Sequence, residues 1–256
     1  MRDLPLKSRV ALVTGVSRRA GIGFAIAKRL ASLGADLCVQ SFAPYDAAQP
    51  WGADADAVLA KELAVLGVRA EELPADLAEP DAPAQLVAEA WRRFGRLDVL
   101  VANYAHSTAD GLARVTAAEI DRHLVVNVRA TLLLVQAFAA RHDGRSGGRV
   151  VLLTSGQDRG PMPGELAYVA SKGALSSLVP SLAAELAHRG ITVNAVDPGA
   201  TDTGWASPQL HAEVLAREPQ GRWGLPDDAA RLVAWLATDD ARWVTGQVIA
   251  STGGGP

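Results

Sequence analysis

The chain has 256 residues, 49% of them hydrophobic, with a formal net charge of −3 and a single cysteine, Cys38. This excludes a disordered chain, gives no basic surplus for nucleic acid, and forbids an intrachain disulfide, which fits a reducing compartment. The N-terminus lacks the long apolar core of a secretory signal and no uncharged apolar run reaches the roughly 20 residues of a membrane helix, so a cytoplasmic protein without membrane contact is expected.

In chain order, short Val- and Leu-rich runs alternate with longer segments of helical period. The runs are residues 10–14, 36–41, 68–73, 97–101, 149–154, 191–196 and 247–250. Runs apolar on successive residues suit strands buried on both faces. Helical segments fall at 22–33, 54–66, 81–94, 117–141, 165–188 and 226–237. The alternation predicts an α/β fold: a doubly wound Rossmann-type sheet of about seven mostly parallel strands with helices on both faces. No linker divides residues 1–256, which read as a single dinucleotide-binding domain. Residues 42–53, with Pro44, Pro50 and Gly52, read as a loop. Residues 200–225, with Pro208, Pro219, Trp205 and Trp223, have the length of a lid. Cys38 sits between Leu37 and Val39 and reads as a core thiol.

The first strand runs into Gly15, Ser17, Arg18, Arg19, Gly21, Ile22 and Gly23, and a helix follows directly. A glycine turn before a helix N-terminus offers free N–H groups and a positive dipole end to a diphosphate. Such turns also end strands for structural reasons alone. At 165–188, Tyr168 and Lys172 share a helix face at i, i+4. An ammonium beside a phenol favours the phenolate, which would bring a tyrosine into range for proton transfer. Ser155 ends the preceding strand, where ligand groups collect in parallel sheets. Asn127, among valines, is either a satisfied core amide or a functional one. The five histidines are scattered without the close pairing of a zinc site and read as surface or core residues, so no metal is expected; His106, after the fourth strand, could reach a substrate. The second strand ends at Gln40 and Ser41, and no acid appears before Asp46. With Arg18 and Arg19 near, this favours NADP(H) over NAD(H), which stays possible.

Together these residues resemble the short-chain dehydrogenase/reductase family, in its single-domain branch and especially its 3-oxoacyl-carrier-protein reductase-like members. The glycine turn is matched by Thr14, Gly15, Gly21 and Gly23, with two extra residues. Asp76, beside Leu77, matches the adenine-contacting acid. Asn103 matches the second Asn of an Asn-Asn-Ala-Gly segment in which Tyr104 replaces alanine. Asn127, Ser155, Tyr168 and Lys172 match the catalytic tetrad, and Pro198, Gly199, Thr201 and Thr203 the segment that meets the nicotinamide. The resemblance implies hydride transfer between NADP(H) and a small ketone or alcohol, with Tyr168 as acid/base, Lys172 on the nicotinamide ribose and Asn127 holding a water. It also implies a homotetramer or homodimer paired through the long helices. The tetrad argues against the alternatives, a non-catalytic NADP(H) sensor or a scaffold.

Overall fold

The computed structural model describes residues 4–54, 58–145 and 147–255. Seven strands form one sheet: β1 Val10–Val13, β2 Asp36–Ser41, β3 Ala70–Pro74, β4 Val99–Ala102, β5 Gly148–Leu153, β6 Ile191–Asp197 and β7 Val248–Ala250. Their order is β3-β2-β1-β4-β5-β6-β7, and each neighbouring pair is parallel. The chain starts in the middle of the sheet, winds out to β3, returns to β4 beside β1, and winds out the other way.

Period-2 alternation divides the strands between two cores. Ala11, Val13, Val39, Val99 and Val151 face one layer, with Ile26, Leu30, Val233 and Leu236. Leu12, Cys38, Leu100 and Leu152 face the other, with Leu86, Leu134, Phe138 and Val179. Burying each large side chain contributes roughly 1.5–3 kcal/mol, and this two-sided burial explains why the strands read as continuous apolar runs. Cys38 is fully buried, and burial pushes its thiol up to about 12.

The first layer is built from α1 Ile22–Ser32, α3 Val58–Ala64 and α9 Pro226–Ala237; the second from α4 Ala82–Phe94, α6 Ala130–Arg141 and α7 Leu166–Leu186. Residues 55–57 of the expected helix 54–66, and N-terminal residues 1–3, lie outside the described residues. The two expected loops each contain a helix, α2 Ala43–Ala47 and α8 Pro208–Leu215, because proline in the first turn of each needs no hydrogen-bond donor. The expected helix 117–141 is interrupted: α5 Ala117–His123 passes through a π-helical turn, Leu124–Arg129, before α6. These 25 residues are apolar enough to cross a membrane by length and composition, but half of their most apolar 18-residue window is buried inside the fold.

Candidate active site

The winding reverses between β1 and β4, where doubly wound sheets open a crevice beyond the strand ends. A cavity of about 600 Å³ lies there. Its floor is the glycine turn. Gly15 takes φ +73°, and a Cβ on it would stand 2.7 Å from Tyr104 Cα, so only glycine fits. A Cβ on Gly23 would lie 2.3 Å from the Gly15 carbonyl oxygen. That residue lets α1 pack on the turn and is not part of the cavity wall. Helix α1 begins at Gly21 and Ile22 with no capping side chain and no acid in its first turn, which leaves its N–H groups and dipole to an anion. This end of the cavity fits a diphosphate. Ser17 lines it, its Oγ accepting from Phe42 N–H at 3.1 Å. Asn103 donates to the Thr14 and Gly15 carbonyls at 3.1 and 3.2 Å, tying the loop after β4 to the turn. Asp76 and Leu77 add wall after β3, and Pro198, Gly199, Thr201 and Thr203 after β6.

The two arginines differ from the expectation that both serve the cofactor. Arg19 points outward and is bonded to Asp54 and Glu62, so its charge is already matched and it is not part of the wall. Arg18 lines the cavity, lies 5.2 Å from the Trp51 ring centroid, and donates to the Thr203 carbonyl. Burial holds its guanidinium below the usual value, against the pull of Asp46 and Asp54. At the end of β2, Gln40 is internally satisfied: its Oε1 accepts from Gly15 N–H at 2.9 Å and its Nε2 donates to the Ala75 carbonyl at 2.7 Å. Asp46, carried by α2, does reach the wall, where it accepts from Trp51 Nε1 at 2.9 Å. The extended-loop reading of 42–53 gave no sign of this. Tyr45 and Trp51 of the same segment also line the cavity.

At the other end, Ser155 follows β5 and Tyr168 stands in the first turn of α7; both line the cavity. Asp110 caps that helix from outside. Its carboxylate accepts from Leu166 N–H at 2.5 Å and Ala167 N–H at 3.3 Å, placing a negative charge on the positive dipole end. Sequence reading missed Asp110, which sits 56 residues away in the chain. Burial pushes the Tyr168 phenol well above its ordinary value; the Ser155 hydroxyl opposes this, and the carboxylates of Glu165 and Asp197 reinforce it. Lys172 lies one turn on, buried, its Nζ 5.6 Å from the Tyr168 ring centroid and donating to the Leu153 carbonyl at 2.7 Å. Burial draws its ammonium down to about 8, with Asp197 acting against the shift. The expected lowering of Tyr168 by Lys172 is not found: burial dominates, Ser155 is the group that opposes it, and the phenol keeps its proton at neutral pH.

Asn127 sits in the π-turn, a departure from regular helix that often marks functional positions. Its Oδ1 accepts from His106 N–H at 2.8 Å, and its Nδ2 donates to the His106 carbonyl at 3.0 Å and Ser171 Oγ at 2.9 Å. The amide is satisfied and fastens the loop after β4 to α7. Tyr104, which departs from the family pattern, directs its hydroxyl to Thr131 Oγ1 at 3.0 Å; Thr131 in turn donates to the Asn127 carbonyl at 2.7 Å. The bulk of Tyr104 thus braces the π-turn.

From the segment 200–225, Trp205, Val214 and Trp223 line the cavity. Trp223 is buried, stacks on His211 at 4.8 Å and donates to the His211 carbonyl at 3.0 Å, while Trp205 meets its edge at 6.1 Å. Tyr45, Arg122, Val126 and Met162 complete the reaction end. The fold also sets His106 against His123, ring centroids 4.6 Å apart. Their positions on a loop and a helix hid this pairing from sequence spacing.

A family model described as Enoyl-(Acyl carrier protein) reductase matches residues 15–255. The uncharacterized oxidoreductase YjdA of Bacillus subtilis is 40% identical over 250 residues, 97% of each chain. Versicolorin reductase 1 of Aspergillus parasiticus is 35% identical over 266 residues, again 97% of each. Among solved structures, a short chain dehydrogenase of Burkholderia cenocepacia in complex with NADP superposes with a TM-score of 0.87 at 38% identity, over 98% of both chains.

Proposed function

The chain belongs to the short-chain dehydrogenase/reductase family, and from that premise we propose that it is an NADP(H)-dependent oxidoreductase that reduces a ketone to a secondary alcohol. The observation that carries this reading is Tyr168, its proton retained by burial, facing the same cavity as an uncapped glycine-turn helix. The bound cofactor supplies the hydride. Ser155 and Tyr168 bond the substrate oxygen, and Tyr168 gives up its proton as negative charge develops there. Lys172 holds positive charge beneath Tyr168 and steadies the phenolate left behind. Asn127 keeps the intervening loop in place. Arg18 takes the 2′-phosphate, for which a guanidinium is suited; the complex of the Burkholderia cenocepacia neighbour with NADP supports the choice. The relative named a versicolorin reductase supports reduction. The i, i+4 spacing of Tyr168 and Lys172 favours carbonyl over C=C reduction, although the family model bears an enoyl reductase description. NAD(H) is the second reading, favoured by Asp46 at the wall. We place the protein in the cytoplasm, as a homotetramer or homodimer acting on a small carbonyl or alcohol.

Two measurements test this on the purified chain. Fluorescence titration with NADPH and NADH is expected to show tighter NADPH binding. Tyr168→Phe is expected to lower NADPH oxidation with a carbonyl panel by about 10²–10⁴-fold while leaving that binding intact. Normal turnover in the variant would sink the acid assignment, and binding of neither nucleotide would sink the cofactor reading.

A further inference from the structure

We infer that the chain carries a second site, for a divalent transition-metal ion, built by His106, Glu119 and His123. One donor atom from each residue lies within 4.8 Å of the others. His106 Nε2 and Glu119 Oε2 stand 3.3 Å apart, the separation expected for two ligands each roughly 2 Å from a tetrahedral ion. Glu119 and His123 share one face of α5 at i, i+4, and His106 approaches from the loop after β4, so the three donors converge from two elements.

The second, independent observation is His123 itself. It is fully buried, with 0% exposure. Its Nδ1 meets the Glu119 backbone carbonyl at 2.8 Å. A carbonyl only accepts, so Nδ1 carries the proton and Nε2 carries a lone pair. That Nε2 is buried and has no hydrogen-bond partner among the described residues, while Nδ1 stands 3.9 Å from Glu119 Oε2. A buried polar atom left unpaired costs free energy that native structures rarely leave standing. A ring nitrogen fixed as donor to a carbonyl, with the opposite nitrogen free, is how metal-ligating imidazoles are oriented. Thr108 Oγ1 donates to Glu119 Oε2 at 3.0 Å and orients the carboxylate in the same way. Two imidazoles and one carboxylate form the donor set of open zinc sites, and the same set takes cobalt.

None of the three belongs to the tetrad, but the site is mechanically joined to it. The His106 peptide group bonds Asn127 through both its N–H and its carbonyl. The His123 ring meets the Tyr168 ring edge-on at 6.4 Å. An ion held here stitches the loop after β4 to α5 and fixes the wall behind Tyr168.

The test is spectroscopic and needs no turnover. The full chain, stripped with a chelator, is titrated with Co²⁺. The expected result is one equivalent with visible d–d absorption, displaced by Zn²⁺. Glu119→Gln keeps the side-chain length and a hydrogen-bonding oxygen for Thr108, and is expected to weaken binding by at least about tenfold. His123→Gln is expected to abolish it. If that buried variant does not fold, the half-exposed Glu119→Gln still decides. His188→Gln, on an exposed residue elsewhere, is expected to bind like wild type. Absence of a one-equivalent spectrum in the wild type overturns the site. So does binding that survives Glu119→Gln undiminished.

Discussion

Arg19 spends its charge on Asp54 and Glu62, whereas Arg18 is held half-buried over Trp51 at the cavity wall. A charge-assisted hydrogen bond is worth roughly 1.5–3 kcal/mol, which is about 10- to 150-fold in affinity. Arg18→Leu is therefore expected to weaken NADPH binding by that factor in a fluorescence titration and to leave NADH binding little changed. Arg19→Leu is expected to alter neither by more than about threefold, since exposed ion pairs contribute little. Equal losses in the two variants would overturn the division of roles. Lys172 yields a pH prediction. Its folded value near 8 lies below the ordinary 10.5, so as pH falls the unfolded chain takes up the proton first. The stability tied to its neutral form is thus complete above pH 10.5 and is lost as pH falls to about 8. Lys172→Met lacks this titration. Wild-type stability relative to the variant, from urea unfolding, is expected to rise between pH 8 and 10.5 by on the order of 3 kcal/mol. A difference that stays flat across that window would show that Lys172 is not desolvated.

The side chains proposed as catalytic depend on how two helices begin and bend. Helix α7 presents Tyr168 in its first turn only because Asp110 satisfies the N–H groups of Leu166 and Ala167. Removing such a cap costs about 0.5–2 kcal/mol. Asp110→Ala is expected to lose that much in thermal unfolding and to lower kcat more than it raises KM, because it displaces the proton donor while the cavity wall persists. Asp110→Asn, which keeps an accepting oxygen, is expected to recover most of both. A kcat unchanged in Asp110→Ala would leave the cap with a purely structural role. These elements also show what sequence could and could not reveal. The strands and the Tyr168–Lys172 pair were legible, because two-faced burial produces unbroken apolar runs and because that spacing lies within one helix. The π-turn at Leu124–Arg129 was not. Its 3.6-residue pattern is almost that of an ordinary helix, and the turn is held through bonds from Asn127 to His106 and Ser171 and from Thr131 to Tyr104, all distant in the chain. Asp110 and the His106–His123 pair escaped for the same reason: their partners lie on other elements. Arg19 read as a ligand because sequence shows its charge but not Asp54 and Glu62 beside it.

At the scale of the whole molecule, the cavity gathers the ends of six strands. The turn after β1, α2 after β2, Asp76 after β3, Asn103 after β4, Ser155 after β5 and the segment from Pro198 after β6 all face it. Neighbouring loops are tied to one another, as Asn103 ties the loop after β4 to the glycine turn. The Arg18 bond to the Thr203 carbonyl and the Tyr45 hydroxyl bond to the Ser107 carbonyl are the kind of bridges between them. A dinucleotide lying across the cavity would join both halves of the sheet, and binding of this kind adds to global stability by linkage. At a hundredfold excess over Kd the gain is about 2.7 kcal/mol, and for a chain of this size each kcal/mol raises Tm by roughly 2–4 °C. NADPH is thus expected to raise Tm by about 5–10 °C in a single transition, and NADH at equal concentration by less. Because the gain comes from spanning the strand ends and not from chemistry, Tyr168→Phe should show the same shift as wild type. A shift lost in Tyr168→Phe would mean that the phenol itself anchors the nucleotide. A shift equal for both nucleotides would mean that Arg18 reads no 2′-phosphate and that Asp46 sets the preference at that end of the cavity.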